Sequence, residues 1–214
     1  MSIQKEQIIQ AAITILDRDG LEGVTLRRLA KELDIKAASI YWHIANKEEL
    51  LDEMANAILQ EHFGTFDFKN DKRDWAEWLD TVAHELRTAM LAHREGARVV
   101  AGAHPDIARM LLKLWDFTIR VLHTNGFSYS QATTITITVI NFTFGAVIEE
   151  QASPPLAHII TLGDQLSMGE EFPAMAAAME AVQGEDNDMR FNTSVRIIIN
   201  GVRAELESRS INTD

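Results

Sequence analysis

The residues best suited to binding a ligand by type and spacing lie within 25–47, and the ligand they fit is a nucleic acid. Tyr41 and His43 can donate hydrogen bonds to phosphates or to base edges. The small residues at 37–39, Ala-Ala-Ser, would let a helix approach the floor of a major groove. This spacing predicts a DNA-recognition helix. An aromatic cluster of Tyr41, Trp42 and His43 in a helical core fits the spacing equally well.

Basic residues flank this segment in a chain that is otherwise acidic. Arg27 and Lys47 lie where backbone phosphates would border the groove. Residues 25–47 contain five Lys or Arg and two Asp or Glu, whereas the whole chain has a net charge of −12. A local basic patch on an acidic body favours phosphate contact at one site and excludes a protein that coats nucleic acid. An ordinary solvated face would give the same charges.

The histidines do not form a catalytic or metal-binding motif. His84 and Glu85 begin an H-E-x-x-H zinc motif, but position 88 is Thr. The other candidates lack the close spacing of metal ligands: His93, His104, His123 and His158. The sequence also lacks a nucleophile elbow, a P-loop and a dinucleotide fingerprint. We therefore expect no enzyme activity, no metal and no cofactor.

The composition is that of a globular intracellular protein. Of the 214 residues, 46% are apolar and 24% are charged, and there are no cysteines. No segment approaches the roughly 18 consecutive apolar residues of a membrane span. The first ten residues, MSIQKEQIIQ, carry charges where a signal peptide needs an apolar region. We expect a cytoplasmic protein that does not interact with a membrane.

The apolar periodicity predicts an all-α chain. Asp19-Gly20 ends the first helix, and Thr25 and Asn46 offer N-cap oxygens for the second and fourth. Glu49 completes a capping-box pattern with Asn46. The later predicted helices cover residues 75–93, 106–124, 129–151, 172–183 and 189–207, with loops at 64–74 and 152–170.

The segment 132–144 has the composition of a strand. It alternates Thr with Ile or Val, and β-branched residues favour strands. Nothing else in the sequence predicts a strand with which it could pair. A helix buried between other helices can have the same composition, because packing overrides local propensity. We therefore predict a helix.

The segment 23–51, GVTLRRLAKELDIKAASIYWHIANKEELL, resembles the DNA-binding domain of the tetracycline-repressor family. The shared features are the T-x-R-x-L-A spacing, the short helix of small residues, Y-W-H, and the K-E-E-L-L that follows. The resemblance implies a helical homodimer that binds a palindromic operator. It assigns DNA contacts to Thr25, Arg27, Arg28, Lys36, Ala37, Ala38, Ser39, Tyr41, His43 and Lys47. Tetracycline repressors carry a polar base-reading pair where this chain has Ala37 and Ala38, so operator preference should differ.

The resemblance continues through LAHREGARV at 91–99 and GAVIEEQ at 145–151. It implies an effector pocket formed by the end of helix four, by helices five and seven, by 100–105 and by Glu149, which matches an acidic residue that helps hold magnesium. It also implies that two late helices of each subunit form a four-helix dimer interface.

The pocket differs from that of the drug-responsive repressors. Val100 replaces the histidine that ligates magnesium, and Ala103 replaces a nearby threonine. Magnesium needs hard oxygen or nitrogen ligands, which these side chains lack, so we predict neither the metal nor the drug. The predicted pocket is apolar, with a polar anchor from His62 or Glu149, and consists of His62, Phe63, Val82, Leu86, Val100, Ala103 and Glu149. Any single apolar member is more often a packed core residue, and a lone histidine at the end of a helix, such as His62, is more often structural.

The sequence therefore predicts a repressor released from DNA by a small apolar or aromatic effector. Its DNA-binding domain would cover residues 1–46, a connecting helix 47–66, and an effector-binding and dimerisation domain 67–214. One alternative is a DNA-binding protein that needs no effector, with its pocket closed by Phe63 and Val82. A second alternative, an enzyme on a helical bundle, lacks a catalytic constellation.

Overall fold

The computed structural model describes residues 4–152, 171–182 and 184–210. Over these residues the chain forms ten α-helices, one short 3₁₀ helix at Leu21–Gly23 and no strand, so the all-α prediction is confirmed. The helices are α1 Lys5–Asp19, α2 Leu26–Glu32, α3 Ala37–Tyr41, α4 Lys47–Phe63, α5 Trp75–Leu91, α6 Gly96–Ala101, α7 Arg109–Thr124, α8 Tyr129–Ala152, α9 Pro173–Ala181 and α10 Asn187–Ser210. The loop predicted at 152–170 lies almost wholly outside the described residues.

The first three helices form a small head with a helix-turn-helix. The Thr25 hydroxyl caps α2 by accepting from the Arg28 N–H at 3.2 Å. The turn between α2 and α3 is tight because Asp34 adopts a left-handed φ of 50°. Ile40 and Ile44 are fully buried, which holds α3 against the head and leaves its other face to solvent.

Helix α4 joins the head to the body of the protein, which comprises helices α5 to α10. Asn46 accepts from the Glu49 N–H at 2.8 Å, and the Glu49 carboxylate accepts in return from the Ala45 N–H at 2.8 Å. Lys5 of α1 forms an ion pair with Glu53 at 2.6 Å. Because α4 packs on α1 at one end and on α5, α6 and α7 beyond it, head and body share one continuous core.

The strand-like segment is part of α8. Its threonine hydroxyls donate to carbonyl oxygens four residues earlier, and the two buried ones, Thr136 and Thr143, do so at 2.7 and 2.8 Å. These hydrogen bonds satisfy the buried hydroxyls, and packing against α5, α6, α7 and α10 outweighs the local strand preference. By length and composition α8 would also suit a membrane span, a test that the core helix of a helical bundle passes as well.

Two elements of the body differ from the prediction. The six-residue helix α6 was not predicted, and α7 begins at Arg109 rather than near 106. Helix α6 follows Glu95, which has a left-handed φ of 54° and makes no side-chain cap for it. Without a cap or a long apolar repeat, the sequence offers little local indication of α6.

Candidate DNA-binding surface and effector pocket

The aromatic residues of the recognition segment lie on the surface of the head. Tyr41 is 55% exposed and Trp42 is 89% exposed. The alternative of an aromatic core cluster is therefore wrong, since a core cluster would bury these rings. Ala38 is also exposed, while Ser39 and His43 are half-buried. The exposed face of α3 and the turn after it thus present small and hydrogen-bonding side chains together.

The basic residues around this face have two different roles. Arg27, Lys36 and Lys47 are exposed and form no ion pair with any other described residue, so their charges remain available to phosphates. Arg28 instead binds Asp19 of α1 at 2.5 Å. The Arg28 backbone N–H also donates to the Thr25 hydroxyl. Both contacts indicate that Arg28 stabilises the head. The ten predicted DNA contacts all remain predictions, and the geometry most favours the exposed ones.

Four of the five apolar residues of the predicted pocket are buried in the body of the protein. Phe63, Val82, Leu86 and Val100 are each at most 1% exposed, and Ala103 is half-buried. The four buried residues come from the end of α4, from α5 and from α6 and belong to the continuous core, whereas Ala103 follows α6 and packs against that core. The role of Phe63, Val82, Leu86 and Val100 as the wall of an effector pocket stays a prediction.

The two predicted polar anchors are placed very differently. His62 Nε2 lies 2.5 Å from the Glu85 carboxylate of α5, with its side chain 25% exposed. An effector that binds His62 would therefore compete with Glu85. Glu149 is exposed near the end of α8. Both anchors remain predictions.

A cluster of hydrogen bonds, which the sequence did not indicate, joins the head to the segment before α6. The Asp17 carboxylate of α1 accepts from the Arg94 N–H at 3.1 Å and lies 3.1 Å from His93 Nδ1. The Arg94 guanidinium donates to the Arg18 carbonyl at 3.1 Å. The end of α1 is thus fixed to the body through backbone as well as side-chain groups.

Glu95 makes the second link between head and body. Its carboxylate accepts from the Leu21 N–H at 2.7 Å and from Arg98 at 2.6 Å. The hydrogen bond from Leu21 and the nearby Arg98 charge hold the pKa of Glu95 below its ordinary value of 4.5. Gly20 permits this approach, because a Cβ there would lie 2.6 Å from the Glu95 carboxylate.

We expect Glu95→Gln to destabilise the protein at neutral pH and much less in acid. The folded-state pKa is depressed, so the carboxylate stabilises the fold above about pH 4.5 and loses this effect as the pH falls through the folded pKa. Denaturation of wild type and variant at pH 7 and at the lowest pH at which both still fold measures the difference. Glu48→Gln, at an exposed position on α4, is the control. An equal loss of stability at both pH values would contradict this account.

Gln151 binds the other side of α6. Its amide nitrogen donates to the carbonyls of Met90 and His93 at 3.1 and 2.8 Å, and its oxygen accepts from the Ala97 N–H at 3.0 Å. Gln151 is the last residue of the GAVIEEQ motif, which was the only sequence signal for it. One side chain from α8 thereby fixes the end of α5 and the start of α6.

Two family profiles cover most of the chain. The profile described as bacterial regulatory proteins of the tetR family matches residues 8–54, and the tetracyclin repressor-like C-terminal domain matches residues 69–206. The chain belongs to the TetR family of transcriptional regulators. The first profile includes the exposed recognition helix, and the second includes the buried wall residues of α5 and α6.

Individual relatives agree with this assignment to the TetR family. The class C tetracycline repressor of Escherichia coli is 35% identical over 94% of this chain and 90% of its own length. The structure of the Streptomyces coelicolor protein ActR in complex with (S)-DNPA is similar, with a TM-score of 0.78, 26% identity and coverage of 96% of this chain and 99% of that one. A TetR variant from Acinetobacter baumannii AYE in complex with minocycline has a TM-score of 0.71 and 28% identity, over 94% of this chain and 97% of that one. The expectation of a regulator rather than an enzyme agrees with these relatives.

Proposed function

We propose that the chain is a ligand-responsive repressor that binds a palindromic operator as a homodimer and leaves it when a small apolar or aromatic molecule binds. The observation that carries the proposal is the arrangement around α6. Val100 of α6 is fully buried in the predicted pocket, and Glu95, the residue before α6, is hydrogen-bonded to the head. A displacement of Val100 by a bound effector can therefore be transmitted through the short helix α6 to the head that carries the DNA-binding surface.

The head supplies the contacts to DNA. Tyr41 and Lys47 are exposed beside α3, where they can meet base edges and phosphates of a major groove. Ala37 and Ala38 can contact a thymine methyl group but cannot hydrogen-bond a base. We infer that the operator differs from those of the tetracycline repressors at the bases facing these residues. This role places the protein in the cytoplasm, where operator DNA is found.

The late helices supply the dimer interface. Ile137 of α8 is 40% exposed and Ile197 of α10 is 65% exposed, so each helix presents apolar surface outside the core of its own chain. Pairing α8 and α10 with the same helices of a second subunit would bury this surface in a four-helix arrangement. Such a dimer would place two recognition helices about 34–36 Å apart, one turn of DNA.

The effector is proposed to be apolar because the wall offers no polar partner. A polar ligand group facing Phe63, Val82, Leu86 or Val100 would lose water without replacement, at roughly 1–3 kcal/mol per group. Apolar ligand surface instead gains about 25 cal/mol per Å² buried. The effector would shift the dimer toward a head spacing that does not fit DNA, with a coupling of roughly 1–3 kcal/mol between the two sites.

We expect magnesium to leave any binding of tetracycline unchanged. The side chains of Val100 and Ala103 supply neither oxygen nor nitrogen ligands, and the candidate anchor His62 is already paired with Glu85. Calorimetry of the protein with tetracycline, with and without magnesium, tests this expectation. The class C relative, a tetracycline repressor, is the positive control. Tight binding of tetracycline only when magnesium is present would contradict the proposed effector class.

A second candidate function is DNA binding without an effector. The near-complete burial of Phe63 and Val82 favours it, since both could simply fill the core. The two candidates differ in one observable, which is release from the operator by a small molecule.

A further inference from the structure

We propose that the indole N–H of Trp115 is the polar anchor of the effector pocket, and that the effector is an uncharged aromatic molecule with a hydrogen-bond acceptor such as a carbonyl oxygen. The inference rests on the proposed function and supplies the polar contact that the apolar wall lacks. It assigns a ligand contact to a residue of α7 that the sequence did not indicate.

The indole N–H of Trp115 is a buried donor without an acceptor. Within residues 4–152, 171–182 and 184–210, no other buried side-chain nitrogen or oxygen of a residue shielded from solvent lacks a hydrogen bond. Trp78 shows the usual arrangement, since its Nε1 donates to the Thr118 hydroxyl at 2.9 Å. A buried tryptophan N–H normally finds such an acceptor, because burial without one loses the hydrogen bond to water. An acceptor on a ligand would restore the missing bond at Trp115.

Trp115 lies on the face of α7 that packs against the core. It is half-buried, and it comes four residues after Leu111 and three before Thr118, which are both buried. These three side chains therefore share one face of the helix. The hydrogen bond from Trp78 to Thr118 shows that this face meets α5. Val82 of the predicted wall follows Trp78 by one turn of α5, so the indole belongs to the contact between α7 and the helix that carries part of the wall.

The two other candidate anchors are less suited to holding a ligand. His62 Nε2 lies 2.5 Å from the Glu85 carboxylate, so a ligand would have to break that pair. Glu149 is exposed, and water would compete with a ligand for its carboxylate. Trp115 has no partner to give up among the described residues. It is therefore the anchor that gains most from a new hydrogen bond.

The chemistry of the indole and of the wall defines the class of ligand. An indole N–H donates and cannot accept, so the ligand must supply the acceptor. A carboxylate would bring an uncompensated charge beside the buried side chains of Phe63, Val82 and Val100, which is unfavourable. A neutral carbonyl oxygen avoids this cost, and an aromatic body would cover the wall. An aromatic ketone or ester fits both requirements.

Two pairs of isosteric probes test the anchor. They are acetophenone against α-methylstyrene, and 2-acetylnaphthalene against 2-isopropenylnaphthalene. Within each pair a CH₂ group replaces the carbonyl oxygen, so the shape is kept and the acceptor is lost. Equilibrium dialysis gives the preference for the ketone over the alkene in the wild type and in Trp115→Phe, which keeps an aromatic ring without a donor. Trp75→Phe, at another half-buried tryptophan, whose ring contacts Phe127, is the matched control.

We expect the preference for the ketone to be about tenfold lower in Trp115→Phe than in the wild type, and unchanged in Trp75→Phe. In proton–nitrogen correlation spectra of the wild type, the indole proton of Trp115 should move downfield with the ketone and not with the alkene. A residue that only fills space would not show this difference. The signal can be assigned from nuclear Overhauser contacts within α7, so the spectra decide the question if Trp115→Phe does not fold.

Two results would overturn the inference directly. They are a folded Trp115→Phe that keeps the wild-type preference, and a Trp115 indole signal that responds alike to both members of a pair. Failure of the wild type to bind any of the four probes would also overturn it. The proposed function has a separate readout, which is release from the operator. Release only by compounds without an acceptor would keep the proposed function and contradict the anchor, whereas release by no compound would contradict the proposed function itself.

Discussion

Replacing both Tyr41 and Lys47 with Ala is expected to weaken operator binding by roughly 2–4 kcal/mol, or about 30- to 1,000-fold. Tyr41 is 55% exposed and Lys47 is exposed, so neither truncation removes packing from the head. The loss should therefore come from missing contacts to DNA and not from unfolding. Fluorescence anisotropy with an operator selected from random DNA measures the affinity.

Single replacements of Lys47 and of Tyr41 should weaken operator binding in different ways. Loss of the Lys47 phosphate contact should reduce the slope of log affinity against log salt by about 0.9, and it should weaken all sequences alike. Loss of Tyr41 should leave that slope nearly unchanged. Lys72→Ala, an exposed lysine in the loop before α5, controls for net charge. Unchanged affinity in the double variant would mean that the recognition helix is assigned wrongly.

Val100→Phe is expected to raise the effector concentration needed for DNA release by about tenfold or more, while operator affinity without effector stays the same. Val100 is fully buried, and the larger ring would fill space that the effector is proposed to occupy. The probe is the compound that releases the wild-type protein from its operator at the lowest concentration in a screen. The measured quantity is the concentration of that compound giving half release.

Overpacking of the core by the larger Phe side chain is the competing explanation for a higher half-release concentration in Val100→Phe. If Val100 already fills the core, Phe would cost roughly 1–3 kcal/mol of stability. Thermal unfolding separates the two cases. A variant with a much lower melting temperature and an unchanged response to the compound would place Val100 in the core and not in the pocket wall.

The sequence predicted the head well because its signals are local. The caps at Thr25 and Asn46 and the helix end at Gly20 each fix the backbone within a few residues. Helix α8 was predicted against its composition, and the structure shows the reason. Its buried threonines find hydrogen-bond acceptors within the helix itself.

The links between head and body could not be predicted because their partners are far apart in sequence. Asp52 and His104 are 52 positions apart, and Leu21 and Glu95 are 74 positions apart. No periodic pattern connects such residues, and a lone acidic residue in a helix is usually solvated. The same reason explains why the partner of His62 was not predicted, since Glu85 lies on another helix.

Titration of a preformed protein–operator complex with apolar aromatic compounds and with tetracycline tests the central claim most directly. The account predicts that at least one apolar compound releases the operator without magnesium, and that the same compound fails to release Val100→Phe at the same concentration. Release by no compound would contradict the claim and favour the effector-independent protein. Release only by tetracycline together with magnesium would contradict the apolar pocket.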